Sequence, residues 1–100
     1  MNSLDLSKNK KIIENITKAH GWKQMLENQN MKSILSLTDI AKKEGISVRQ
    51  VRKIYYLNYL SPYIVEKIVL NGKNPKKLKL KDFLNGFPIS WVEQQEWFTG

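Results

Sequence analysis

The sequence has no cysteine, only three prolines and five glycines, and a single histidine. Without cysteine, neither a disulfide-built scaffold nor a thiolate metal site is possible. His20 has no clustered carboxylates at ligand spacing, so no metal and no other cofactor is expected. No apolar run is long enough to span a bilayer, and Met1-Asn-Ser-Leu-Asp-Leu6 lacks the layout of an export signal. A membrane role is therefore not expected, and the protein is read as cytoplasmic. A Gly-rich phosphate loop is missing too, and every serine is explained as a cap or loop residue rather than as a nucleophile beside an orienting base. No enzyme, no catalytic residue and no small-molecule substrate are expected. Acidic residues are scarce: nine stand against 17 lysines and arginines, a formal charge of +8. That balance favours a polyanionic partner.

What is present is helical patterning over a length suited to one domain, residues 1–100, with 1–8 expected as a flexible leader. Ile12, Ile16, Ala19, Trp22 or Lys23, and Leu26 recur at three- and four-residue spacing and predict a first helix from about Asn9 to Asn28. Gly21 lies inside it, which a kink or a close helix approach would explain. A polar stretch, Asn28 to Ser33, follows. Ser61, Pro62 and Gly72 punctuate a later helix with Ile64, Val65, Ile68 and Val69 as its core face. A short helical turn is expected at Leu80–Leu84, and Ser90 is expected to cap a final helix with Trp91, Gln95 and Phe98 on one side. The fold class is thus all-α, a compact five- to six-helix domain.

The most informative stretch is Leu37 to Tyr56, which has the layout of a helix-turn-helix. Two helices crossing over a short turn need a small residue at the crossing, supplied by Ala41. The turn between them needs a residue that tolerates left-handed backbone, supplied by Gly45. Leu37, Ile40, Ile46, Val48, Val51 and Ile54 fall at buried positions, and Ser47 can cap the second helix. The outward face then carries Arg49, Gln50, Arg52, Lys53 and Tyr56. Arginine can grip guanine and glutamine can grip adenine with paired hydrogen bonds, whereas lysine and tyrosine more often hold phosphates. Ser47, Arg49, Gln50, Arg52, Lys53 and Tyr56 are therefore the candidate base-reading residues. Thr38, Lys42, Lys43, Lys73, Lys76, Lys77 and Lys79 are the candidate phosphate contacts.

Each of these features has a plainer explanation. Two short amphipathic helices with a solvated basic face occur in many α-helical domains. The lysines at 73, 76, 77, 79 and 81, like the smaller group Lys8, Lys10 and Lys11, suit a solvated surface as well as a phosphate backbone. Trp22, Trp91 and Trp97 could stack on unpaired bases, yet aromatic residues at helical spacing are usually core. For Leu37 to Tyr56, however, the alanine, the glycine, the cap, the apolar positions and the base-capable face agree, and a double-stranded DNA partner is favoured. RNA is disfavoured because its major groove is too narrow for a reading helix. A protein-binding adaptor, docking on a polymerase, recombinase or host regulator, is the competing expectation. A lone reading helix covers few base pairs, so a homodimer on a two-fold site is also expected.

Beyond these patterns, Leu60-Ser-Pro-Tyr-Ile-Val65 and Phe87-Pro-Ile-Ser-Trp91 with Gln94 carry a resemblance. Together with Lys18-Ala-His-Gly-Trp22, Met25-Leu26, Leu37 to Leu60, Ile68, Gly72, Asn74-Pro75 and Leu78 to Leu84, they make about four-fifths of the chain resemble a known region. It is the C-terminal DNA-binding region of bacterial serine site-specific recombinases of the resolvase/invertase type. The helix-turn-helix is also similar to those of ParB-type partition proteins. The resemblance implies sequence-specific DNA binding in a bacterial cytoplasm or nucleoid, or in a phage-infected host. It further implies control of transcription or recombination on a mobile element. The catalytic serine of those recombinases lies in a separate domain for which 100 residues starting at Met1 leave no space, so strand exchange is not expected. A free-standing reading module is the favoured form.

Overall fold

A computed structural model describes residues 3–27 and 36–100, with side chains from Asn9 onward. The expected polar stretch Asn28–Ser33 and the side chain of Lys8 lie outside the described residues. Helix α1 spans Ser3–Glu27 and begins six residues earlier than the periodicity predicted, so residues 3–8, expected as a leader, continue the helix. Its buried stripe is Ile12, Ile16, Ala19 and Trp22, while Lys10, Lys11, Glu14, Lys18 and Lys23 stay in solvent. That stripe carries the segments Val48–Tyr59 and Pro62–Val69, while Leu37–Glu44 and Leu80–Leu84 pack mainly on the former. Gly21 is not explained by a close approach: a Cβ there would meet nothing within 4 Å.

Helices α2 (Leu37–Glu44) and α3 (Val48–Tyr55) follow, and a 3-10 turn, Tyr56–Tyr59, continues α3 directly. Asn58 fastens this turn to α1 by donating to the carbonyls of Ala19 (2.9 Å) and Tyr55 (2.9 Å). Helix α4 (Pro62–Val69) starts with Pro62 in its first turn and with the Ser61 hydroxyl accepting from the Tyr63 N–H at 3.1 Å. At its end Gly72 adopts φ 62°, and the Lys73 N–H reaches back to the Lys67 carbonyl at 2.9 Å. This bond, spanning six residues across a left-handed glycine, satisfies a carbonyl of the last turn that would otherwise be orphaned. Ile64 and Ile68 are buried as expected, but Val69 is exposed, because α4 presents only a narrow stripe to α1.

The loop after α4 is tied to the opposite end of α1. Buried Asn9 donates to the Gly72 carbonyl at 3.1 Å and accepts from Asn74 at 3.3 Å, while Asn74 also pairs with both backbone groups of Leu78. Helix α5 (Leu80–Leu84) opens with the Asp82 carboxylate accepting from the Lys79 N–H at 2.7 Å.

Helix α6 (Trp91–Thr99) closes the fold in a different register from the expected one. Phe98 is buried, but Gln94 faces inward where Gln95 was expected, and Trp91 is exposed. Ser90 precedes the helix without a side-chain cap bond. Gln94 wins the inward position because its amide meets three backbone groups: it accepts from the Ser61 N–H (2.7 Å) and donates to the carbonyls of Tyr59 (2.9 Å) and Ile89 (3.3 Å). An aromatic side chain would leave all three unpaired. Around this clasp Phe83, Phe87, Trp97 and Tyr56 pack with ring centroids 5.1–5.9 Å apart. The architecture is all-α, six helices and one 3-10 turn, with no strand among the described residues. No described helix is long and apolar enough to cross a membrane.

Candidate nucleic-acid interface

The two-helix unit is built from its caps inward. Ser36 and Asp39 form a reciprocal box at the start of α2: the Asp39 N–H donates to the Ser36 hydroxyl (3.3 Å), and the Ser36 N–H donates to the Asp39 carboxylate (3.0 Å). Sequence reasoning missed this pair, although Ser-x-x-Asp before an apolar run signals it. At the other end Gly45 takes φ 72°, and the N–H groups of Gly45 and Ile46 both bond the Ala41 carbonyl. Only there does the chain require left-handed backbone between the helices. Ala41 is buried at the crossing, as the spacing predicts. Ile46 is not: it lies in the turn, more than a third exposed.

Ser47 caps α3 by accepting from the Gln50 N–H at 3.1 Å, and the hydroxyl proton stays available for donation. Val51 and Ile54 turn inward and Val48 is half-buried, which fixes the helix rotation. Residues three and four apart share a face, so Arg49, Arg52, Lys53 and Tyr56 fall on one side. Arg49 and Arg52 are exposed, while Gln50 and Lys53 are half-buried on the flanks. No acid lies on α3.

Tyr56 differs from the expectation of a free contact. It is half-buried, with its ring 5.0 Å from Tyr59 and 5.1 Å from Phe87, so most of it is core. With Arg52, Tyr55, Tyr59, Leu37 and Ile89 it lines a groove of about 480 Å³ beside the exposed basic side of α3. Burial, together with neighbouring Tyr59 and Glu27, raises the Tyr55 hydroxyl above its ordinary value.

The candidate phosphate contacts separate into two groups. Thr38, Lys42 and Lys43 are exposed on α2, one at its first turn and two at its last. Lys73, Lys76, Lys77 and Lys79 are exposed on the loop held at Asn9. Asn58, which anchors the continuation of α3, binds at Ala19, ten residues along α1 from Asn9. That spacing corresponds to about 15 Å at 1.5 Å per residue. The lysine loop and the continuation of α3 are therefore anchored at separate points of α1. Lys76 also leans on α6, donating to the Glu96 carbonyl at 3.5 Å.

No family model, curated protein or solved structure matches this chain.

Proposed function

We propose that this chain is a sequence-specific double-stranded DNA-binding protein with a binding rather than a catalytic role. A small regulator of transcription or recombination on a mobile element is the form that fits its resemblance to the recombinase reading region. The observation that carries the reading is the rotation of α3: with Val51 and Ile54 inward, Arg49 and Arg52 project into solvent after a left-handed turn at Gly45. In this mode α3 enters the major groove, with Ser47, Arg49, Gln50, Arg52 and Lys53 at base edges and Tyr56 at its border. Thr38, Lys42 and Lys43 flank it on the phosphates. The lysines at 73, 76, 77 and 79 extend the electrostatic footprint along the duplex.

Duplex selection from a random pool, followed by titration of the recovered site at several salt concentrations, tests this. A DNA reader returns a motif, and the logarithm of its affinity falls with a slope near −0.9 per phosphate neutralised. Weak attraction indifferent to sequence would reject it. The exposed apolar residues Ile89, Trp91 and Val92 favour a second reading, an adaptor docking on a polymerase, recombinase or host regulator, and that sequence-blind outcome is the one it predicts.

A further inference from the structure

The groove beside α3 joins one cation of the proposed reading face to aromatic walls. At about 480 Å³ it falls in the range of small-molecule sites, which are mostly apolar with a few placed polar groups. Its walls are set before anything enters. The Tyr56 ring packs against both Tyr59 and Phe87, with centroids 5.0 and 5.1 Å away. Asn58 ties the turn that carries Tyr56 and Tyr59 to the Ala19 carbonyl of α1. Tyr59 is 51% exposed and Ile89 67%, so both offer surface to an incoming molecule.

The polar chemistry of the lining is one-sided. Arg52 is its only charged residue, and a guanidinium has five donors and no acceptor. No ion pair engages Arg52 among the described residues. The tyrosine hydroxyls can donate as well. No acid lines the groove: Glu27, which after burial and Tyr59 helps to raise the Tyr55 hydroxyl, stands outside it. A planar anion fits this set, because its carboxylate can take two parallel bonds from the guanidinium while its ring lies against tyrosine. A duplex does not use these rings, since paired bases stack on one another and present edges, not faces, to a reading helix.

We propose that this groove is a site for a planar aromatic carboxylate, its carboxylate paired with Arg52 and its ring against Tyr56 and Tyr59. The consequence rests on the DNA reading proposed above: an Arg52 engaged in the groove is withdrawn from base edges, so the ligand is an effector that releases the duplex. Ligand and duplex compete for one side chain, and linkage makes each weaken the binding of the other by the same factor.

The test uses the full chain and 2-naphthoate, first without DNA. An NMR titration should show saturable binding with a Kd of about 1 mM or tighter, the affinity open to a ligand of that size, with the largest shifts at Arg52, Tyr56 and Tyr59. The neutral isostere 2-naphthamide should bind about 10-fold more weakly. Arg52→Gln removes the cation and Ile89→Asp adds a like charge at an exposed position, and each should weaken naphthoate binding several-fold with an unchanged circular dichroism spectrum. Arg49→Gln, on the same helix but outside the groove, should leave it unchanged. On a selected duplex, saturating naphthoate should release the wild type and spare Ile89→Asp. No saturable binding in the millimolar range, equal binding of the amide, or an equal loss from Arg49→Gln would overturn the site. A duplex that stays bound at saturating naphthoate would overturn the effector role. A chain that selects no duplex rejects the DNA reading instead, and the titration without DNA still decides the site.

Discussion

Gln94 contributes through geometry rather than hydropathy, because a buried amide that satisfies one N–H and two carbonyls prevents three separate desolvation costs. Replacing it with leucine keeps the volume and strands Ser61, Tyr59 and Ile89. The expected loss is about 2–4 kcal/mol. For a domain of this size that lowers Tm by roughly 10–25 °C, measurable by calorimetry. Tyr55 supplies a pH dependence. Burial first, then Tyr59 and Glu27, raise its hydroxyl above the ordinary 10.0, so the unfolded chain loses that proton before the folded one. Its stabilising contribution is complete below about pH 10 and disappears as the pH rises through the folded value. Chemical denaturation between pH 9 and 11 should therefore show a shallower alkaline decline for Tyr55→Phe than for the wild type.

At the scale of elements, α1 runs uninterrupted through Gly21, which has neither positive φ nor a neighbour within reach of an added Cβ. Gly21→Ala should accordingly stabilise the protein by about 0.5–1 kcal/mol, seen as a higher urea midpoint with an unchanged slope. The pair α2 and α3 was readable because its determinants are local. Gly45 is required by a single backbone angle, Ser47 by one N–H bond, and Ala41 by a crossing only a few residues away. Helix α6 was read in the wrong register for the opposite reason. Trp91 and Gln95 looked like a face with Phe98, but the partners that draw Gln94 inward lie up to 35 residues away in sequence. Val69 was misplaced likewise, since its apolarity says nothing of how narrow a contact α4 makes.

For the molecule as a whole, the two groups of cations should behave differently. Arg49, exposed on α3, belongs to the proposed sequence-reading face, and Arg49→Ala should cost about 1–3 kcal/mol on the selected site and little on random duplex. Replacing Lys76 and Lys77 together, on the loop anchored at Asn9, should weaken all duplexes nearly equally and reduce the salt slope by one to two. Equal losses from Arg49→Ala on both kinds of DNA would reject its assigned role. Competitive titration of the selected site against random DNA measures both effects.

The sequence by itself determined the helical class and the turn at Gly45, and it identified the cationic side of α3. Each follows from periodicity, one backbone angle or a cap, and these act within a turn or two of the chain. Only the tertiary structure decided which amide enters the core. It also decided that Tyr56 packs instead of standing free, that the lysine loop sits at the Asn9 end of α1, and that Trp91 and Val92 remain on the surface. Those outcomes depend on hydrogen-bond partners and packing surfaces that come together only when segments distant in sequence meet.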